Sequence, residues 1–190
     1  MLHPGDSISD PLAGVRIVFR STAAQTGGCA LVFEAFLEPT GHVPRDHVHP
    51  RQEQRLEVLS GSLGSAIGGR RSVARAGTRL AIPRGTPHRI WNAGDDLAHV
   101  VVEIAPALHY ESLVESLFAL AVETHAAGRS RPGLLRRLAV LEAHFGTAHA
   151  AFPPAPVQRL LLAVAASVAR MLGHRPVHPA SEPDATGSTP

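Results

Sequence analysis

Between Arg16 and Ile104 the apolar residues come as short runs or strict alternations, RIVFR, CALVFEAFL, LEVLSGSLGSAI, TRLAIP, HRIW and HVVVEIA, separated by glycine, proline and acidic residues. Alternation with period two puts successive side chains on opposite faces of a strand. Short strands with turn signals at this spacing build a sandwich or barrel rather than alternating strand and helix units. Gln25 to Gly28, Pro39 to Gly41, Gly68 to Arg70 and Asn92 to Asp96 read as turns. After Pro106 the period changes to three and four, the spacing of helices. Tyr110 to Glu123 sets Leu113, Leu117 and Leu120 on one face, and Pro132 to Phe145 does so with Leu134, Leu138, Leu141 and Phe145, with Ser130 as a candidate cap. Pro156 to Leu172 lines up Val157, Leu160, Leu161, Val164, Val168, Met171 and Leu172, and Gly173 stands where a helix stop is expected. These stripes are expected to be buried on the barrel or on a second subunit.

The sequence therefore predicts an all-β domain over residues 1–108, a helical extension over 109–174 and a disordered tail over 175–190, rich in Pro, Ser, Gly and Thr. A length of 190 residues supports one sizeable core and is short for two. All 18 basic residues are arginine, which lifts the isoelectric point to 9.4 although the net charge is only +2. The arginines are scattered among carboxylates, so nucleic-acid binding is not expected. Cys29 is the single cysteine, which rules out an internal disulfide, a thiolate zinc site and a CxxC redox centre, and fits a cytoplasmic protein. MLHPGDSISD lacks the basic start and apolar core of a secretion signal. The most apolar run, Leu160 to Ala169, falls well short of the roughly 20 residues that span a bilayer, so no membrane span is expected.

His47 and His49, one residue apart at the start of a β-type segment, point the same way on a strand and so aim two imidazoles at one interior point. A second element, GTRLAIPRGTPHRIWN, runs from Gly77 to Asn92 and carries Gly77, Pro83, Gly85, His88 and the chain's single asparagine. Glycines at 77 and 85 permit tight turns, and Pro83 fits a bend that needs no ladder donor, so His88 can be aimed inward from a separate strand.

With Gly41, His47, His49 and Gly61, these residues resemble the two motifs of the cupin superfamily, in the manner of single-domain bacterial cupins of uncharacterised function. The second motif is matched at every position. The resemblance extends from about Val15 to Pro106. It implies a double-stranded β-helix, or jelly-roll, barrel with the helices as an added carboxy-terminal segment. It also implies a divalent transition metal, Fe, Mn, Ni or Zn, held by His47, His49 and His88, and association as a homodimer. Three neutral imidazoles leave one side of such an ion open, as a catalytic site requires.

The chain departs from the family where a glutamate ligand is usual. Counting back from Gly61 gives Gln54, whereas the shorter version of the spacing gives Glu53. The two face opposite sides of a regular strand; the apolar continuation through Leu56 and Val58 favours Gln54 as the inward residue, with Glu53 as the alternative. Three imidazoles and an amide leave the ion's double charge uncompensated, which favours an anionic ligand and weakens metal retention. Glu34 and Glu103, within apolar strand runs, are candidates for a catalytic base or a partner orienting a histidine, or else outward-facing charges. Trp91 and His99 could line the mouth, and the remaining histidines have no partner at ligand spacing.

The expected function is that of a metal-dependent enzyme of this superfamily, an oxygenase or a Lewis-acid isomerase or cyclase acting on an anionic or β-oxygenated small molecule. The alternative is a non-catalytic ligand-binding or sensor cupin that recognises a sugar or small metabolite. Fold membership alone does not choose between them.

Overall fold

The computed structural model describes residues 2–42 and 46–171. β1 (Ser7–Asp10), β2 (Val15–Ser21) and β3 (Leu31–Leu37) open the chain, followed by β4 (His47–Val48), β5 (Glu53–Ser60), β6 (Ser62–Ile67) and β7 (Arg70–Arg75). β8 (Arg79–Ile82), β9 (His88–Asn92) and β10 (Ala98–Ala105) complete the region of alternation. The rest of the chain forms α1 (Tyr110–Ala126), α2 (Leu134–Ala143), β11 (His149–Ala150) and α3 (Ala155–Met171). The strands make two antiparallel sheets, ordered β1-β2-β3-β10-β5-β8 and β11-β4-β9-β6-β7. Together they form a jelly-roll barrel.

Period-two alternation builds the core. Phe19 lies opposite Phe33, which lies opposite Val102; Val102 faces Leu56, and Leu56 faces Leu80, so one row of apolar side chains crosses five strands of the larger sheet. Leu63, Ala74 and Ile90 of the smaller sheet join the same buried cluster. Each large side chain so buried contributes roughly 1.5–3 kcal/mol, and Leu56→Ala in the middle of the row costs about 2–5 kcal/mol.

The predicted run LEVLSGSLGSAI is two strands. Gly61, at φ +75°, makes the turn, and a Cβ there would stand 2.7 Å from the Leu97 carbonyl oxygen. β7, RRSVAR, is an edge strand with one buried residue, Ala74, and therefore carries almost no apolar signal. β1 also ends its sheet and alternates only between exposed and half-buried positions.

The helices form near the expected positions. α1 buries Leu113, Val114, Leu120 and Ala121 and packs beside β1. The N-cap of α2 is Gly133 with no side-chain cap, so Ser130 does not serve there. α2 packs on α3, whose Gln158 and Leu162 are buried, while Val157, Leu160, Leu161 and Val164 on the same helix are exposed. The described residues thus leave this stripe of α3 exposed. Among the described residues no helix is long and apolar enough to cross a membrane. The tail expected over 175–190 lies outside the described residues, as do Val168's side chain, Leu172 and Gly173.

Candidate metal centre

His47 on β4 lies directly opposite His88 on β9. Their ring centroids are 4.3 Å apart, and His49, just past the end of β4, lies 5.0 Å from His47 and 5.4 Å from His88. The structure thus brings the three sequence-predicted imidazoles together. One ligand nitrogen from each lies within 4.8 Å of the others. Three nitrogens about 2 Å from a common ion stand roughly 3.3 Å apart, so small side-chain rotations bring them onto one centre.

Local turns hold this arrangement. The Gly85 N–H donates to the His49 carbonyl at 2.8 Å, and the Thr86 N–H closes a turn onto Pro83 at 3.2 Å. That turn places the Thr86 carbonyl 2.9 Å from Nδ1 of His88. Nδ1 of His49 meets a different carbonyl, that of Thr147, at 3.0 Å. A carbonyl only accepts, so in both rings Nδ1 carries the proton and Nε2 keeps its lone pair. Both Nε2 atoms are buried with no hydrogen-bond partner among the described residues. Buried unpartnered acceptors are costly unless something absent from the chain satisfies them. The donor set therefore fits a divalent ion.

Protonation agrees with that fit. Burial pushes His49 down to about 4, with the Thr147 carbonyl opposing and the neighbouring His88 adding to the shift. Burial likewise lowers His88, opposed by the Thr86 carbonyl and by Asp46. Both rings are neutral at neutral pH, the form that ligates metals. Tyr110 packs against His49 with centroids 5.4 Å apart, and burial raises its phenol to about 12, so it stays neutral.

Gln54 sits on the inner face between Ile104 and Ile82, 4% exposed, and its Oε1 is buried without a partner. Glu53 turns outward and accepts from Nε of Arg55 at 2.7 Å. Gln52, not singled out by the sequence, is 1% exposed; it donates to the carbonyls of Pro106 and Ala107 at 2.9 and 2.8 Å and so ties the β10–α1 junction to the barrel.

Glu34 and Glu103 are not brought to the imidazoles. They alternate with Phe33, Ala35, Val102 and Ile104, which take the inner positions, so both carboxylates lie on the outer face. Glu34 pairs with Arg20 and His99; burial would raise its pKa, but those two bonds outweigh it and hold the carboxyl below its usual value. Glu103 accepts from Arg55 at 3.0 Å. His99 is stacked on Phe36 at 4.2 Å on the same outer face, and Trp91 lies on the outside of the smaller sheet under the Arg89 guanidinium. No aspartate or glutamate is among the buried described residues. Thr86, Thr147 and Tyr110, which contact the cluster, were not legible as such: Thr147 is 98 residues from His49, and the strand after it has only two residues.

Residues 33–104 match the family described as Cupin domain. No curated protein matches the chain. Similar solved structures include a protein from Thermotoga maritima described as a predicted oxalate decarboxylase, with 20% identity and a TM-score of 0.47 over 48% of this chain and 80% of that one. An RmlC-like cupin from Shewanella frigidimarina is 16% identical, with a TM-score of 0.46 over 55% of this chain and 86% of its own. A cupin-superfamily sugar phosphate isomerase from Silicibacter pomeroyi is 22% identical, with a TM-score of 0.44 over 50% of this chain and 60% of its own length. The family match covers His47, His49 and His88. Residues 33–104 thus carry the likeness to the Cupin domain family.

Proposed function

We propose that this is a metal-dependent cupin in which His47, His49 and His88, with Gln54, hold Fe, Mn, Ni or Zn. It acts on an anionic or β-oxygenated small molecule as an oxygenase or a Lewis-acid isomerase or cyclase. The observation that supports this most is the pair of buried Nε2 atoms, on His49 and His88, left without a partner among the described residues beside His47. The bound ion would supply Lewis acidity and an open face for an anionic group. The chain's own part is to bind and orient. The Thr86 and Thr147 carbonyls fix the two rings, and the buried Ile82 and Ile104 flank Gln54. With no buried carboxylate among the described residues, the substrate's negative charge is what balances the ion.

The same lack of an interior acid favours, as a second reading, a ligand-binding or sensor cupin without catalysis. We also propose a cytoplasmic homodimer, supported by the exposed free Cys29 and by the apolar side of α3 that the described residues leave exposed. Metal analysis of protein purified without a tag separates the two readings of the site. The enzyme reading expects near-stoichiometric transition metal that is lost in the His47→Ala, His88→Ala double variant; metal-free protein that takes up none on addition of Fe(II), Mn(II), Ni(II) or Zn(II) contradicts it.

A further inference from the structure

The segment between α2 and α3 leaves the helices and returns to the histidine cluster. β11 pairs antiparallel with β4, placing Ala150 opposite His47 and His149 opposite Val48. The Ala151 N–H extends that ladder by donating to the Asp46 carbonyl at 2.9 Å. Just before β11 the chain presents the Thr147 carbonyl to Nδ1 of His49. Thr147 is 2% exposed, and its own N–H is held by the His144 carbonyl at 2.9 Å. From the far side Gln158, in the first turn of α3 and 8% exposed, donates through Nε2 to the Ala150 carbonyl at 2.7 Å and to the Pro153 carbonyl.

We propose that residues 144–158 are a positioning device for His49. Gln158 clamps β11, β11 fixes the preceding loop on β4, and the loop's Thr147 carbonyl holds His49 as the Nδ1–H tautomer, leaving Nε2 as its one lone pair for an ion. The proposal rests on the reading of His47, His49 and His88 as metal ligands. Gln158 is a positioning residue and touches no ligand. Its helix, outside the barrel, thereby becomes part of what sets metal affinity. Groups that orient a metal-bound histidine typically alter affinity 10- to 100-fold when lost, and the lower end is expected for a residue acting through a strand.

The test uses the full chain and compares wild type with Gln158→Leu. The His49 tautomer is read by nitrogen-resolved NMR of the metal-free protein, and the Co(II) dissociation constant by chelator competition. Wild type is expected to show the single Nδ1–H form, and the variant a tautomer mixture with the dissociation constant raised about tenfold. Leu160→Gln, on the exposed side of the same helix, is expected to change neither. An unchanged tautomer and an unchanged dissociation constant in Gln158→Leu overturn the proposal. Should Gln158→Leu unfold α3, hydrogen exchange of the wild-type protein decides: coupling is reciprocal, so Co(II) is expected to slow the Ala151 amide, and an unchanged rate overturns the proposal. If wild type binds no metal, the metal reading fails, while the tautomer comparison still decides whether this segment sets the His49 ring.

Discussion

His49 and His88 carry the physical argument, because each gives one nitrogen to a carbonyl and keeps the other buried and bare. Their lowered pKa values have a stability consequence. In the unfolded chain the rings titrate near 6.5, whereas His49 in the folded chain titrates at about 4, so between those values the unfolded state binds more protons and acid favours it. Metal-free protein is therefore expected to lose about 3 kcal/mol from His49 alone as the pH falls from about 7 to below 4, at 1.4 kcal/mol per unit, with His88 adding in the same direction. Urea unfolding at a series of pH values checks this; stability that stays flat between pH 7 and 4 contradicts it. Gln54 offers a second handle. A carboxylate at that buried position supplies the missing charge, so Gln54→Glu is expected to tighten Co(II) binding at least tenfold, roughly 1.4 kcal/mol, and to lower the melting temperature of the metal-free protein through the desolvated acid. Calorimetric titration and thermal melts with and without metal read both effects.

The second motif was legible because each of its special residues answers a backbone need. Asn92 donates to the carbonyls of Leu37 and Asp96 at 2.9 and 2.7 Å and accepts from the Gly94 N–H at 2.8 Å, tying β9 to β3 and to the turn before β10. Asn92→Ala leaves those groups unpaired and is expected to cost about 2–4 kcal/mol in chemical denaturation. Gly41, which opens the first motif, is required for space: a Cβ there would lie 2.6 Å from the Glu38 carbonyl oxygen and 2.7 Å from that of Gly14. The strands with an inner face announced themselves through alternation, whereas β1 and β7 did not, because edge strands with little burial need no apolar period. β11 was invisible for another reason. Two residues are too few to show any period, and their place beside β4 is fixed by contacts more than a hundred residues away.

In the whole molecule the carboxy-terminal segment does two things that periodicity alone left open. Its α1 seals one end of the larger sheet, and β11 extends the smaller one beside the histidines. α3 shows its buried side to α2 and turns Val157, Leu161 and Val164, spaced four and three residues apart, outward. That spacing is the seam of paired helices, which is why a homodimer is the proposed assembly. Light scattering at micromolar concentration is expected to give twice the chain mass, and Leu161→Glu with Val164→Glu the monomer mass; a wild-type monomer contradicts the dimer and leaves the site unaffected. The central claim is that three imidazoles, held at two paired strands, share one ion. Anomalous diffraction from crystals grown with Zn(II) tests it most directly: the account predicts one strong peak about 2.0–2.1 Å from Nε2 of both His49 and His88 and bonded also to His47. A zinc-containing crystal with no peak between these rings contradicts it.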